Sequence, residues 1–107
     1  MLEVQRLAAA AVAGVVAGRN LDDILRTTWQ RASNLAPADR AAIQDLSFGA
    51  VRHLGWLQAA LDRLLQKPIT DPMLAALLWV ALYQLQFSKA KPYAVVDHAV
   101  TLTAQRL

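Results

Sequence analysis

The side chains that could carry acid–base or metal chemistry in this chain are few and scattered. The chain has two histidines, His53 and His98, eight acidic residues and no cysteine. Asp97 and His98 are adjacent, which on a helix points them about 100° apart, so they cannot act as a catalytic pair. A metal site needs at least three converging ligands, and the spacing of these residues predicts none. His53 lies beside an apolar helical stripe and is interpreted as a partly buried packing residue.

The absence of cysteine excludes a disulfide, a thiolate metal site and a cysteine nucleophile in this chain, and it fits a reducing compartment. We therefore predict that this chain alone is not an enzyme.

The basic residues point to a different chemistry, the binding of RNA. The candidate RNA-binding residues are Arg6, Arg19, Arg26, Arg52, Lys89, Lys91 and Tyr93. Arg31 is a further candidate for phosphate contact. Basic side chains that meet phosphates give affinity without reading sequence, whereas Tyr93 could stack on an unpaired base. The alternative interpretation of each basic residue is an ordinary solvated surface charge.

Composition limits the class of protein. With 107 residues, 56% hydrophobic and 18% charged, the chain can form one domain with a real core. The net charge of +3 is spread evenly along the chain, so it is compatible with nucleic-acid binding but does not by itself indicate it. The longest apolar run, Met73 to Tyr83, is far shorter than the roughly 18 residues of a membrane span, and no signal peptide is recognisable. We expect a cytoplasmic protein with no membrane association.

Apolar residues recur at helical spacing throughout, and no segment alternates with the period of a strand. The pattern predicts an all-α bundle of about five helices. Gly18 ends the first helix and Asn20 caps the second. Pro37 opens the long third helix, Thr70 or Asp71 caps the fourth, and Pro92 starts the fifth.

The stretch from Asp39 to Leu65 is predicted to be one long core-facing helix with a bend near Gly55. Its apolar stripe is Ile43, Leu46, Ala50, Leu54, Leu57, Leu61 and Leu64, and a second stripe is Phe48, Val51, Trp56 and Ala60. Gly49 and Gly55 are expected to mark a close helix contact, a kink or a break. Asp39 suits the helix start, and Arg40 is interpreted as holding a neighbouring element rather than phosphate.

The aromatic residues at helical spacing are predicted to be core. They are Trp29, Phe48, Trp56, Trp79, Tyr83 and Phe87. The fourth helix has only Gln84 and Gln86 as polar residues between Leu74 and Phe87, so we expect it to be covered nearly all round.

The fifth helix has a predicted inner face but no stop signal before the chain ends. That face is Val96, Ala99, Val100, Thr103 and Leu107. Because a closing helix is then expected to be missing, Val95, Ala99 and Leu102 are predicted to lack cover. We expect the isolated chain to self-associate, either through this helix or by exchange of a terminal element.

Four passages, taken in order, carry a resemblance to one known family. They are Gly18, Arg19 and Leu21 after the first helix; Asp39 and Arg40 followed by Leu46, Gly49, Val51 and Arg52; LDRLLQKP at 61–68; and LLWVALYQLQF at 77–87 leading into Pro92, Ala94, Val96 and Val100. In order and spacing they resemble the NusB fold family, and most of all the N-terminal domain of the bacterial small-subunit rRNA cytosine-5 methyltransferases. The chain departs from the family at His98, where a glutamate is usual, and at Lys91, where the methyltransferases usually have a proline.

The resemblance implies a single NusB-like domain over residues 1–107, a fragment of a longer chain whose last helix or helices are missing here. It implies a non-catalytic RNA-binding accessory domain that helps to position small-subunit rRNA for a separate catalytic domain. In that family the catalytic domain binds S-adenosylmethionine and attacks the base with a cysteine, so no cofactor is expected in this chain. NusB-like domains use a basic face around the first helices, which favours Arg6, Arg19 and Arg26.

The resemblance also implies partners and an alternative function. rRNA is the expected partner, and the methyltransferase domain of the same protein and a ribosomal protein are further candidates. The alternative function is a NusB-type protein-interaction module in transcription antitermination or ribosome assembly.

Overall fold

The computed structural model describes residues 2–89 and 91–106, and within them the chain forms six helices and no strand. The helices are α1 Leu2–Val16, α2 Leu21–Arg31, α3 Pro37–Arg52, α4 Leu54–Leu64, α5 Pro72–Phe87 and α6 Pro92–Arg106. The prediction of an all-α bundle is confirmed. No helix in this part of the chain is both long and apolar enough to cross a membrane.

The helix boundaries follow the local signals in the sequence. The Asn20 side chain accepts a hydrogen bond from the Asp23 backbone N–H at 3.2 Å, and the Asp71 carboxylate accepts one from the Met73 N–H at 2.9 Å. Gly18 has a φ of +99°, a conformation that favours glycine, and it ends the first helical segment. Both predicted caps are thus confirmed, with Asp71 rather than Thr70 opening α5.

The predicted long helix is wrong in one respect, because it is broken at His53 into α3 and α4. His53 has a φ of −105° and a ψ of 18°, and it is both the C-cap of α3 and the N-cap of α4. The predicted bend at Gly55 lies two residues too late in the chain. At the break, the His53 ring stacks on Phe87 of α5, with ring centroids 4.3 Å apart. Phe87 is distant in the sequence, so local periodicity could not reveal this contact or the break that accompanies it.

The core lies where α1, α3 and α5 meet. Each of these helices packs against four others, whereas α4 packs only on α3 and α5 among the described elements. The small side chains of α1, Ala8, Ala9 and Ala11, are fully buried and let the helices approach closely. Gln5 of α1 donates a buried hydrogen bond to Gln84 of α5 at 2.8 Å, which fixes the register of these two helices.

The predicted core is right for most of the first stripe and wrong for several aromatic residues. Ile43, Leu46, Ala50, Leu57 and Leu61 are buried. Leu64, however, is 70% exposed, and among the aromatics Phe48, Trp56 and Phe87 are exposed as well. The break at His53 changes the helical phase, which accounts for Leu64 and Trp56. Phe48 lies before the break and Phe87 lies on α5, so their exposure does not follow from it. Trp29, Trp79 and Tyr83 pack against the core as predicted, each partly buried.

The predicted inner face of the last helix is right at Ala99 and wrong at Val96 and Val100. α6 buries Val95, Ala99 and Leu102, whereas Val96 and Val100 are exposed. The three residues predicted to lack cover are therefore covered, by packing of α6 against α1 and α5. Apolar residues occur on both sides of α6, so periodicity alone did not identify the buried side. Leu107, also placed on the inner face, lies outside the described residues.

The residues that do lack cover line an apolar groove of about 500 Å³ between α4, α5 and α6. Its large exposed side chains are Leu64, Leu85, Val96 and Val100. The expectation that α5 is covered nearly all round is thus wrong at its C-terminal end. Self-association remains a prediction, now with this groove as the surface concerned.

Candidate nucleic-acid interface

Three arginines from two helices and the turn between them line one polar groove. The groove has a volume of about 550 Å³ and lies between α1 and α2. Its basic residues are Arg6 on α1, Arg19 in the turn and Arg31 at the end of α2. We call it the arginine groove. Thr27, Thr28 and Asn34 add polar groups to its lining.

Close packing of α2 on α1 positions the arginine groove. A Cβ atom added at Gly14 would lie 2.7 Å from Cδ1 of Ile24, so α2 is in close contact with α1 at this glycine, and a larger residue would require the end of the Ile24 side chain to move. A Nη atom of Arg19 lies 3.9 Å from the same point, which places the guanidinium against α1. Gly14 was not singled out from the sequence, although a glycine within an alanine-rich helix was an available signal of close contact.

The charges around the groove differ in their pairing. Arg6 Nε donates to the Glu3 carboxylate at 3.2 Å, and a second Arg6 nitrogen donates to its other oxygen. This hydrogen bonding lowers the pKa of Glu3 and raises that of Arg6. In the part of the chain that is described, neither Arg19 nor Arg31 has an ion-pair partner. Two cations are thus available for an anionic ligand. The exposed Arg6–Glu3 ion pair contributes about 1 kcal/mol or less to stability, so Arg6 can release Glu3 and bind a phosphate instead.

The other predicted RNA-binding residues lie elsewhere. Arg26 is exposed on α2 but does not line the groove, and it pairs with Asp23 at 2.9 Å. Arg52 ends α3, and Lys89 and Lys91 flank the junction between α5 and α6. Tyr93 is also exposed, in the first turn of α6. The structure therefore places Arg6 and Arg19 together with Arg31 and leaves the remaining candidates outside that groove.

Arg40 takes the structural role that the sequence favoured. Its guanidinium carbon lies 5.6 Å from the centre of the Trp29 ring, a cation–π contact that ties the start of α3 to α2. Asp39 lies in the first turn of α3, as predicted for a carboxylate near a helix start.

Four aromatic rings form a second surface feature, the aromatic cluster of His53, Trp56, Tyr83 and Phe87. Phe87 is at its centre. His53 stacks on Phe87 at 4.3 Å, Tyr83 lies 5.4 Å from it, and Trp56 meets it edge to face at 5.5 Å. His53 is thus a packing residue, as the sequence indicated. Among residues 2–89 and 91–106, no three His, Cys, Asp or Glu side chains are grouped as metal ligands would be.

Comparison with known proteins agrees with this architecture. The NusB family model matches residues 2–106. Relatives named ribosomal RNA small subunit methyltransferase B include a protein of Klebsiella pneumoniae, 31% identical over 102 residues, and one of Escherichia coli, 33% identical over 100 residues. These matches cover 92% and 91% of this chain but 23% of each relative. The chain thus spans about a quarter of the length of the methyltransferases that it resembles, and by its sequence and its helical bundle it belongs to the NusB family.

Proposed function

We propose that this chain is a non-catalytic RNA-binding accessory domain of a small-subunit rRNA cytosine-5 methyltransferase. Its similarity to proteins named ribosomal RNA small subunit methyltransferase B supports this proposal. The structural observation that carries it is the arginine groove, in which Arg6, Arg19 and Arg31 line one cleft. Planar guanidinium groups can hold a phosphate through two parallel hydrogen bonds, which suits the backbone of an RNA strand.

The contribution of the domain to the reaction is positioning. The groove holds the sugar–phosphate backbone and thereby limits where the neighbouring nucleotides can lie. Holding a substrate near a tethered catalytic domain raises its effective concentration and removes part of the entropic cost of encounter. Phosphate contacts fix the register of the RNA, and sequence is then read by other contacts.

The methyl donor and the nucleophile belong to the separate catalytic domain in this proposal. S-adenosylmethionine chemistry in this family uses a doubly wound domain and a cysteine, as the resemblance implies. The chain has no cysteine, and its described residues form neither a sheet nor a glycine-rich turn between a strand and a helix, so they do not fit that cofactor. We therefore assign no reaction step to this chain.

This proposal implies two partners, rRNA and the catalytic domain of the same protein. It also implies a location in the cytoplasm. A ribosomal protein is the partner in the alternative, in which the chain is a protein-interaction module. The two functions differ in what the chain binds by itself, since an RNA-binding domain needs no protein partner in order to hold RNA.

We expect the chain alone to bind a small-subunit rRNA hairpin more tightly than an unrelated hairpin of equal length. Fluorescence anisotropy titrations at several salt concentrations measure this. The logarithm of the binding constant is expected to fall linearly with the logarithm of salt concentration, because each neutralised phosphate releases counterions. Equal affinity for both hairpins, or no binding near physiological salt, would contradict the proposal and favour the protein-interaction module.

A further inference from the structure

The aromatic cluster is the feature of the molecule that the fold does not explain. Trp56 is 48% exposed and Phe87 is 44% exposed, although both rings are large and apolar. The packing of α4 on α5 does not need them at the surface, because Leu57, next to Trp56, is fully buried and anchors α4. Contiguous exposed apolar surface of this kind commonly marks a site of interaction.

Three rings of the cluster form a stack, and Trp56 lies across it. The His53 and Phe87 rings are within 13° of parallel, and Tyr83 and Phe87 are within 30°. The Trp56 ring lies at 74° to Phe87 and is 48% exposed, so it is the ring most accessible to a ligand. Gly49 makes room for this arrangement, since a Cβ atom there would overlap Cζ of Tyr83. A preformed aromatic surface loses little entropy when another flat ring stacks on it.

Basic residues lie closer along the chain to the rings of the cluster than acidic residues do. Arg52 directly precedes His53, and Lys89 follows Phe87 by two residues. The acidic residue nearest in sequence to any of the four rings is Asp62, six residues after Trp56. A flat, uncharged ring joined to an anionic backbone suits this combination.

We propose that the aromatic cluster stacks an unpaired nucleobase of RNA, whose neighbouring phosphates meet Arg52 and Lys89. Base stacking on aromatic rings beside basic groups is how proteins hold single-stranded RNA. This inference rests on the proposed function and deepens it, because it assigns the arginine groove to the backbone and the cluster to a looped-out base. The preferred RNA then has an unpaired loop or bulge.

The test compares two RNAs, a hairpin with an unpaired loop and a fully paired duplex of the same stem. Trp56→Ala is expected to weaken binding of the looped hairpin by roughly fivefold to a hundredfold, the usual range for losing one stacking ring. Its affinity for the duplex is expected to stay within about twofold, since duplex bases are not available for stacking. Trp56→Tyr keeps a ring and is expected to restore most of the binding.

The control is Phe48→Ala, which removes a ring that is 36% exposed on α3, outside the cluster, and is expected to change neither affinity. Circular dichroism melts verify that each variant is folded, and Trp56→Leu, which is apolar but has no ring, replaces Trp56→Ala if that chain does not fold. The proposal is overturned if the folded variant without the ring loses as much affinity for paired as for looped RNA, or loses none for looped RNA, or if Trp56→Tyr binds looped RNA as weakly as that variant does. If the unmodified chain binds neither RNA, the proposed function itself fails; if it binds both and only the stacking prediction fails, the function stands without this site.

Discussion

Replacing Arg19 and Arg31 together by glutamine is expected to weaken RNA binding on the order of tenfold to a hundredfold at low salt. These two arginines line the arginine groove and have no ion-pair partner in the described chain. A hydrogen bond to a charged group contributes about 1.5–3 kcal/mol, so removing two charged donors has a large effect even after partial compensation. The salt slope is expected to flatten by roughly 0.7–0.9 for each phosphate that the variant no longer neutralises.

The matched control for this pair is Arg63→Gln with Lys67→Gln. Both side chains are exposed, and both lie at or beyond the end of α4, outside the groove lining. The control removes the same two charges, so it is expected to cause only the small loss that follows from a lower net charge. Titrations of the two double variants against one rRNA hairpin make the comparison. If the control loses as much affinity as the groove variant, binding reflects overall charge and the groove has no special role.

Replacing Gly49 by alanine is expected to destabilise the fold by about 2 kcal/mol, which is the upper end of the roughly 1–3 kcal/mol cost of overpacking a core less the gain in helix propensity. A Cβ atom at this buried position would overlap Oη of Tyr83 and lie 2.9 Å from its Cε1. The Tyr83 ring cannot move without disturbing its stack on Phe87. This clash outweighs the roughly 1 kcal/mol that alanine gains over glycine inside a helix.

Gly55→Ala is the matched control, because its effect is expected to have the opposite sign. Gly55 is exposed in α4, and a Cβ atom there would meet nothing within 4 Å. The substitution is expected to stabilise the chain by about 0.5 kcal/mol through helix propensity alone. Urea unfolding of both variants measures the two changes. A Gly49→Ala chain as stable as the Gly55→Ala chain would show that α3 and α5 are not in close contact.

The two glycines also show what the sequence could predict. Gly49 was expected to mark a close contact, a kink or a break, and it marks a contact. The caps were predictable because Asn20 and Asp71 act on backbone groups two or three residues away. Gly49 indicated that a close contact exists, but its partner Tyr83 lies on another helix and could not be identified from the sequence.

Features that depend on distant neighbours were not predictable from periodicity. The break at His53 is accompanied by stacking on Phe87, which is 34 residues away in the chain. Likewise α6 has apolar residues on two sides, and only its packing against α1 and α5 selects Val95 over Val96 as the buried one. The aromatic cluster was missed because an aromatic residue at helical spacing is ordinarily buried.

The candidate site was predicted in part. Arg6 and Arg19 were named from the basic face that NusB-like domains share, and the structure brings them to one groove with Arg31. Arg26 was named with them for the same reason, but on α2 it points about 140° away from Arg31, which lines the groove. Which side of α2 faces the groove depends on how α2 packs on α1, and periodicity alone does not give that packing. The binding of RNA by Arg26 remains a prediction.

The most direct test of the central claim, that the arginine groove holds RNA, is nuclear magnetic resonance mapping of the isotope-labelled chain with the small-subunit rRNA hairpin. The groove predicts that the largest shifts occur at the side-chain Nε–H groups of Arg6, Arg19 and Arg31 and at the backbone amides of residues 17–20. Shifts confined to the apolar groove of α4, α5 and α6, or no shifts at saturating RNA, would contradict the account.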